Sequence, residues 1–517
     1  MEVREEVRVL VEPRRLLVAI LILGLSATAG AQVPTPTIEG PITSRGTPFL
    51  PSSTSFNLAQ VGYAQAEYFI SGTASAYTSA LPLAGDGMWT VTPGETAAYK
   101  TRLLLYRPTK PNKFNGTVVV EWLNVSGGLD APPDWIGAHT ELIRDGFAWV
   151  GVSAQIVGVE GGTALVGVVN LPLKKVNPAR YGSLHHPGDS FSYDIFSQAG
   201  AAVRDPSGPL HDLKVKKMLA TGESQSAFRM VTYIDAIHPL AHVYDGYLVH
   251  SRGAGGVFGA DLSQAPQPPI PTPMTTLIRS DVDVPVLTVE TETDLTFLEY
   301  FPARQEDSKH FRLWEVAGTA HADTYLLVSG AADLGTSPAI VAPLVTTSPV
   351  PGIITCGTPI NSGPQHFVVS AAFAALNRWV RHGKAPKTAP RLEVAAGPPP
   401  AIMHDAHGNA LGGIRTPQVD VPIATFTGQQ SGSILCTLLG TTTPFGPVTL
   451  ASLYPTHQGF VSAYDKSLRR ALKAGWILRP DAKLIKLWAR GRPSAADEAH
   501  LGGARSDDGH GFPWRSR

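Results

Sequence analysis

Between residues 117 and 316 the chain alternates short apolar runs with stretches of helical periodicity, and this rhythm constrains the fold more than any other feature. The apolar runs are 117–122, 147–152, 217–220, 243–249, 284–290 and 311–316; helices are predicted from about Pro133, over 192–203 and from Ser226. A strand covered on both faces by crossover helices reads as continuous apolar text. The alternation therefore predicts an α/β fold, a mostly parallel central sheet covered by helices. Two earlier segments, 68–70 and 99–106, are aromatic or Leu-rich and bounded by Gly and Pro, as in a β-rich, antiparallel N-terminal entry. In such sheets the chemistry sits on loops at the carboxyl ends of the strands.

Charge excludes other classes. Lys and Arg number 42 against 42 Asp and Glu, which gives no basic excess for nucleic acid, and 16% charged residues is too few for a coiled coil or a disordered polymer. Arg14 and Arg15 precede the apolar run 16–25, and Ala29-Gly30-Ala31 supplies a small-x-small cleavage pattern. Residues 1–31 are expected to be a signal peptide cleaved after Ala31, with a secreted or periplasmic product. The apolar run is too short to span a bilayer, so no stable membrane anchoring is expected afterwards. Cys356 and Cys436 are the only cysteines. In an oxidising compartment they most simply form one disulfide, the alternative being two buried thiols.

The remaining organisation is an extended N-terminal arm (32–60), a core (61–385) with a Gly/Pro-rich insertion (252–282), a C-terminal extension packed on the core (386–490) and a disordered tail (491–517). The insertion is expected either to cap a pocket or to be a surface excursion. Its Gly253-Ala254-Gly255 is no dinucleotide fingerprint, because Phe258 stands where the third glycine belongs. A helix is expected from about Pro364 to Gly383. Beyond it a strand-like piece at 419–424 and a helix at 462–474 are predicted, with Tyr454, His457 and Tyr464 as packing or surface residues.

The run 217–220 ends in Thr221-Gly222-Glu223-Ser224-Gln225-Ser226 before a helical stretch. Strand, Gly-x-Ser-x-small turn and helix make a nucleophile elbow, in which small neighbours allow a strained backbone to expose the serine hydroxyl. Gly188-Asp189-Ser190-Phe191-Ser192 has the same spelling, but it follows His185-His186-Pro187, which cannot be a buried central strand. Ser224 is therefore the expected nucleophile, with a helix N-cap as its alternative role.

A serine hydroxyl needs a base, and the base an orienting acid, in the chain order Ser, acid, His. The predicted strand 284–290 leads into Thr291-Glu292-Thr293-Asp294, and 311–316 leads into Ala317-Gly318-Thr319-Ala320-His321. His321 is the expected base and Asp294 the expected acid, with Glu292 as the alternative acid. His250, directly after a predicted strand, is the rival histidine and is expected to bind substrate as a lining residue. Acyl transfer also needs oxyanion donors. The Gln225 amide is one, and the loop Asn124-Val125-Ser126-Gly127-Gly128 supplies the other, with Val125 expected. The sequon Asn124-Val125-Ser126 is discounted, because a glycan there would obstruct the site. No metal-ligand pattern is present and no cofactor is expected.

The strings TGESQSAFRM, EWLNVSGG, TETDL, VAGTAHAD, CGTPINSGPQHFV and GGIRTPQVDVP resemble the exported alpha/beta-hydrolase-fold proteins called alpha/beta hydrolase domain-containing. The resemblance spans most of residues 40–490. It implies the alpha/beta-hydrolase fold, a triad of Ser224, an acid of the TETD segment and His321, and little about substrate.

The expected function is a secreted serine hydrolase cleaving carboxylic esters of small molecules through a Ser-His-Asp triad and an acyl-enzyme. The alternatives are an amidase or peptidase with the same triad, or an inactive hydrolase-fold binding module.

Overall fold

The computed structural model describes residues 33–492 apart from 52, 256–259, 396, 398 and 399; the expected signal peptide (1–31) and nearly all of the expected tail lie outside the described residues. Nine strands form one sheet in the order β1-β2-β3-β5-β4-β6-β7-β8-β9. They are β1 (Thr37–Glu39), β2 (Tyr63–Thr78), β3 (Thr92–Pro108), β4 (Thr117–Trp122), β5 (Ala148–Val152), β6 (Lys217–Glu223), β7 (Gly246–His250), β8 (Val286–Glu290) and β9 (Phe311–Glu315). From β1 through β3 to β5 the pairing is antiparallel. From β5 to β9 it is parallel throughout.

The apolar text of the parallel strands has a direct structural cause. Every residue of β4 is buried. Its Val118 and Val120 face one core with the helices Ser192–Arg204 and Gln225–Thr232, whereas Val119 faces the other with Pro133–Arg144 and Gln365–His382. The period of two along the strand thus feeds both layers, and no position can be polar without a buried partner. Gly383 ends the last of these helices with φ 66°, a left-handed cap that glycine adopts without Cβ strain.

Three parts differ from expectation. Residues 37–39 do not run as free arm but pair as β1 along β2, with Ile38 opposite Ile70. The stretch expected as a strand at 419–424 opens instead as a helical turn, Pro417–Asp420, because proline at its first position presets the helical φ. The strand follows later, Ala424–Thr427 paired with Thr441–Pro444. A further helix, Arg479–Gly491, packs Ala482, Ile485 and Ala489 against His457–Ala474.

The chain after 385 is built into the core. The Ile414 N–H donates to Glu315 O at 2.7 Å and the Ala317 N–H to Ile414 O at 3.1 Å, so this segment lies along the outer edge of β9. Cys356 and Cys436 form a disulfide with 5.6 Å between their Cα atoms. Tyr464 is buried, the Tyr454 hydroxyl donates to Pro422 O, and His457 Nε2 lies 3.1 Å from Ala489 O, so all three pack within the extension.

Candidate active site

Ser224 lies at the junction of β6 and the helix Gln225–Thr232 with φ 57° and ψ −123°. A non-glycine residue at positive φ is strained and persists only where its surroundings fix it. Here the Ser224 N–H donates to His250 O at 3.0 Å, and Ser224 O accepts from the Ala227 N–H at 2.8 Å. The flanking residues must be small because they touch. A Cβ on Gly222 would lie 2.7 Å from Ser226 O and 3.0 Å from Ser226 Cβ. Serine at 226 leaves just enough room for the turn.

His321 follows β9 on the loop 317–321, and its two ring nitrogens join the other members of the group. Nε2 lies 2.8 Å from Ser224 Oγ and Nδ1 lies 2.7 Å from Asp294 Oδ1. Asp294 is fixed by a capping box. Its Oδ2 accepts from the N–H and hydroxyl of Thr291, both at 2.7 Å, at the start of the short helix Glu292–Thr296. Burial opposes the charge of Asp294, but the bonds from His321 and Thr291 outweigh it and hold the carboxyl below the usual carboxylate range. For His321, burial disfavours the imidazolium. The hydrogen bond to Asp294 and the charges of Asp294 and Glu223 reverse that, and the ring is more basic than a free histidine. With Asp294 ionised, Nδ1–H donates to the carboxylate and Nε2 is left to accept the serine proton.

Glu292 points elsewhere. Two residues apart on a helix is a rotation of about 200°, which sets Glu292 on the face away from His321. Its Oε1 accepts from the Gly318 N–H at 2.6 Å and its Oε2 from the Gly428 N–H at 2.9 Å. It ties the histidine loop to the C-terminal extension, and burial pushes its carboxyl up to about 7.

His250 lines a small space shared with His321 rather than the large one. Its Nδ1 lies 2.8 Å from Asp134 Oδ1 and its Nε2 3.1 Å from Gln365 Nε2, beside a small cavity of about 20 Å³ lined also by Glu223 and His321. It does not line the larger cavity over Ser224. The sequence reading missed Glu223 and Asp134. Glu223 stands immediately before Ser224, and its Oε1 is 3.5 Å from His321 Nε2. Its backbone O and Oε2 accept from the Asn124 side-chain amide at 3.1 and 3.3 Å. Burial pushes its carboxyl up to about 7, against the pull of His321 and His250. The signal for Glu223 was a carboxylate at the carboxyl end of an otherwise apolar buried strand, which is costly unless used.

The Gln225 N–H is the first of its helix and has no intrahelical acceptor. In the loop after β4 the Ser126 N–H is taken by Asn124 Oδ1 at 2.7 Å, whereas Val125, buried one residue earlier, has no backbone acceptor for its N–H among the described residues. Ser190 lines neither of these cavities: it is buried and its hydroxyl donates to Gln264 O.

Over Ser224 opens a cavity of about 400 Å³ whose floor carries Ser224, His321 and Glu223. None of the described residues of 252–282 lines it. That insertion packs instead where the Tyr193 hydroxyl reaches Ala260 O and the Leu277 N–H reaches Gly85 O. Among the described residues one group could hold a metal ion, His238, His242 and Asp283, with ligand atoms within 4.8 Å of one another. It lies before β7 and β8, at the end of the sheet opposite Ser224.

A family model described as an alpha/beta hydrolase domain matches residues 35–486. No curated protein matches the chain. Among solved structures, an alpha-beta serine hydrolase homologue from Coxiella burnetii is similar at 12% identity and a TM-score of 0.26, with 43% of this chain and 84% of that one covered. A cold-adapted esterase from an Arctic intertidal metagenomic library is similar at 13% identity and 0.27, with 48% and 84% covered. A thermostable esterase from Pseudomonas putida is similar at 13% and 0.26, with 47% and 67% covered. The family match runs from just before β1 into the last helix, and with it the chain belongs to the alpha/beta hydrolase domain family.

Proposed function

We propose that the protein is an exported serine hydrolase that cleaves carboxylic esters through Ser224, His321 and Asp294. The observation that carries this reading is the unbroken hydrogen-bonded line from Asp294 through His321 to a serine held at positive φ. Ser224 Oγ attacks the acyl carbon while its proton passes to His321 Nε2, and the amides of Gln225 and Val125 receive the oxyanion. His321 then gives that proton to the departing alkoxide, leaving an acyl-enzyme. Water attacks the acyl carbon, its proton goes to His321 and then to Ser224, and the acid departs. Asp294 holds the imidazole in the tautomer this sequence needs.

Export is supported by the leader 1–31 and by the disulfide. No helix among the described residues is long and apolar enough to cross a membrane. Intact-mass measurement of the secreted product should give an N-terminus at Gln32.

The test of chemistry is labelling by a small fluorophosphonate together with turnover of nitrophenyl esters and nitroanilides. Labelling in the parent protein that disappears in Ser224→Ala, with ester turnover, supports the proposal. Preference for anilides would make the protein an amidase, and absence of both labelling and turnover would make it a binding module.

A further inference from the structure

We infer that the scissile ester carries a large, uncharged, apolar group, and that the Cys356–Cys436 disulfide holds together the wall that receives it. This rests on the serine-hydrolase reading above and adds the substrate class to it.

The cavity over Ser224 has about 400 Å³, within the range of roughly 300–1,000 Å³ that accommodates drug-sized ligands. Its lining is apolar almost throughout. Among the described residues no Lys or Arg contributes to it, and the ionisable side chains lining it are Glu223 and His321 at the floor. An anionic substrate would find no counter-charge there and would meet the Glu223 carboxylate. A neutral apolar group meets a matching surface.

The mouth argues the same way. Leu165, Leu171, Phe297, Ile353 and Ile434 all line the cavity, yet each is between 38% and 54% exposed. Large apolar side chains gathered around one opening are costly to leave wet, and a bound apolar group would cover them.

Two segments distant in sequence form one side of this wall. Val350, Ile353 and Ile354 come from the segment that ends at Cys356. Ile434, Leu435 and Leu438 come from the short helix Ile434–Leu438 that contains Cys436. The disulfide joins the two, and around it Ile354, Ile360 and Leu439 form a small apolar cluster separate from the main core. Behind the wall the two segments are also tied by backbone bonds, Asn361 N–H to Leu439 O at 2.8 Å and Thr442 N–H to Pro359 O at 3.0 Å, and the bridge adds a covalent tie at the wall itself.

The experiment uses the full secreted protein and two ester series, p-nitrophenyl esters from acetate to decanoate and acetate esters of alcohols of rising size, with p-nitrophenyl hydrogen suberate as the anionic comparison. In at least one series kcat/KM should rise about tenfold or more with apolar size, and the neutral octanoate should exceed the carboxylate-bearing ester by a similar factor. Ile353→Asp and Ile434→Asp, at exposed positions where folding tolerates charge, should each lower the octanoate-to-acetate ratio of kcat/KM about tenfold. Cys356→Ser with Cys436→Ser should lower the same ratio through a higher KM for octanoate. Flat or falling profiles in both series, or a ratio that neither aspartate variant moves, would overturn the substrate class. A ratio unmoved in the cysteine variant, with its fold intact by circular dichroism, would overturn the role of the bridge. Failure of the underlying reading looks different: no ester of any size turns over and the fluorophosphonate does not label.

Discussion

Glu223 Oε1 lies 3.5 Å from His321 Nε2, the ring nitrogen that also faces the Ser224 hydroxyl. A second carboxylate beside the base, in addition to Asp294, makes His321 a stronger proton acceptor than a single acid would. In the proposed mechanism His321 must be neutral to accept the serine proton, so activity should be lost as pH falls through its pKa, which lies above the ordinary histidine value of about 6.5. The acid limb of kcat/KM for a nitrophenyl ester should therefore have its midpoint above that value. In Glu223→Gln the neighbouring charge is gone and the limb should move to lower pH. A limb that stays in place would show that Glu223 is protonated throughout.

The two carboxylates of the TETD segment should separate cleanly by mutation. Asp294→Asn leaves the shape intact but favours the wrong imidazole tautomer, and kcat should fall by about four orders of magnitude. Glu292→Gln keeps one acceptor oxygen but turns an NH2 donor toward the buried N–H of either Gly318 or Gly428, and leaves the line from Asp294 to Ser224 in place. It should cost about 1–3 kcal/mol in urea unfolding and far less in kcat than the Asp294 change.

Gly222→Ala tests the tight turn. Its Cβ would approach the backbone of Ser226 to 2.7 Å, and backbone cannot swing aside as a side-chain tip can. The variant should lose roughly 1–3 kcal/mol of stability and label more slowly with fluorophosphonate, because the strain falls on the turn that carries Ser224.

Behind the active-site loop lies a buried ion pair, with Arg102 Nη2 at 2.7 Å from Asp130 Oδ2 and both side chains nearly inaccessible. Removing one partner strands the other charge. Arg102→Met should destabilise the fold by about 3–5 kcal/mol in urea titration, and the double variant Arg102→Met with Asp130→Asn should recover part of that loss.

The sheet was legible wherever burial on two faces left no choice of residue. The run 117–122 is β4 to the residue, and 311–316 overshoots β9 by one. β1 escaped notice because three residues between prolines and glycines carry no period, and their strand character comes only from the open edge of β2. The helix Arg479–Gly491 runs straight into a polar tail, and its amphipathic stripe has meaning only against His457–Ala474. At the site, the order Ser224, Asp294, His321 and the small residues around Ser224 could be read directly, because the turn and the chain order constrain residue type. The roles of Glu223 and His250 depend on which strand lies beside which. β7 next to β6 puts His250 under the Ser224 turn, where its ring bonds to Asp134 and lines the small cavity rather than the large one.

The backbone bonds between Glu315, Ala317 and Ile414 carry a practical warning. Cutting the polypeptide after residue 385, where the hydrolase core was expected to end, would strip the outer margin of β9 and leave its amides and carbonyls looking for another chain. It would also remove Gly428, the brace on Glu292, and the three residues that the helix Ile434–Leu438 gives to the apolar wall. A shortened version should emerge as self-associating, insoluble material, so for this molecule the smallest workable unit extends well past its last sheet strand.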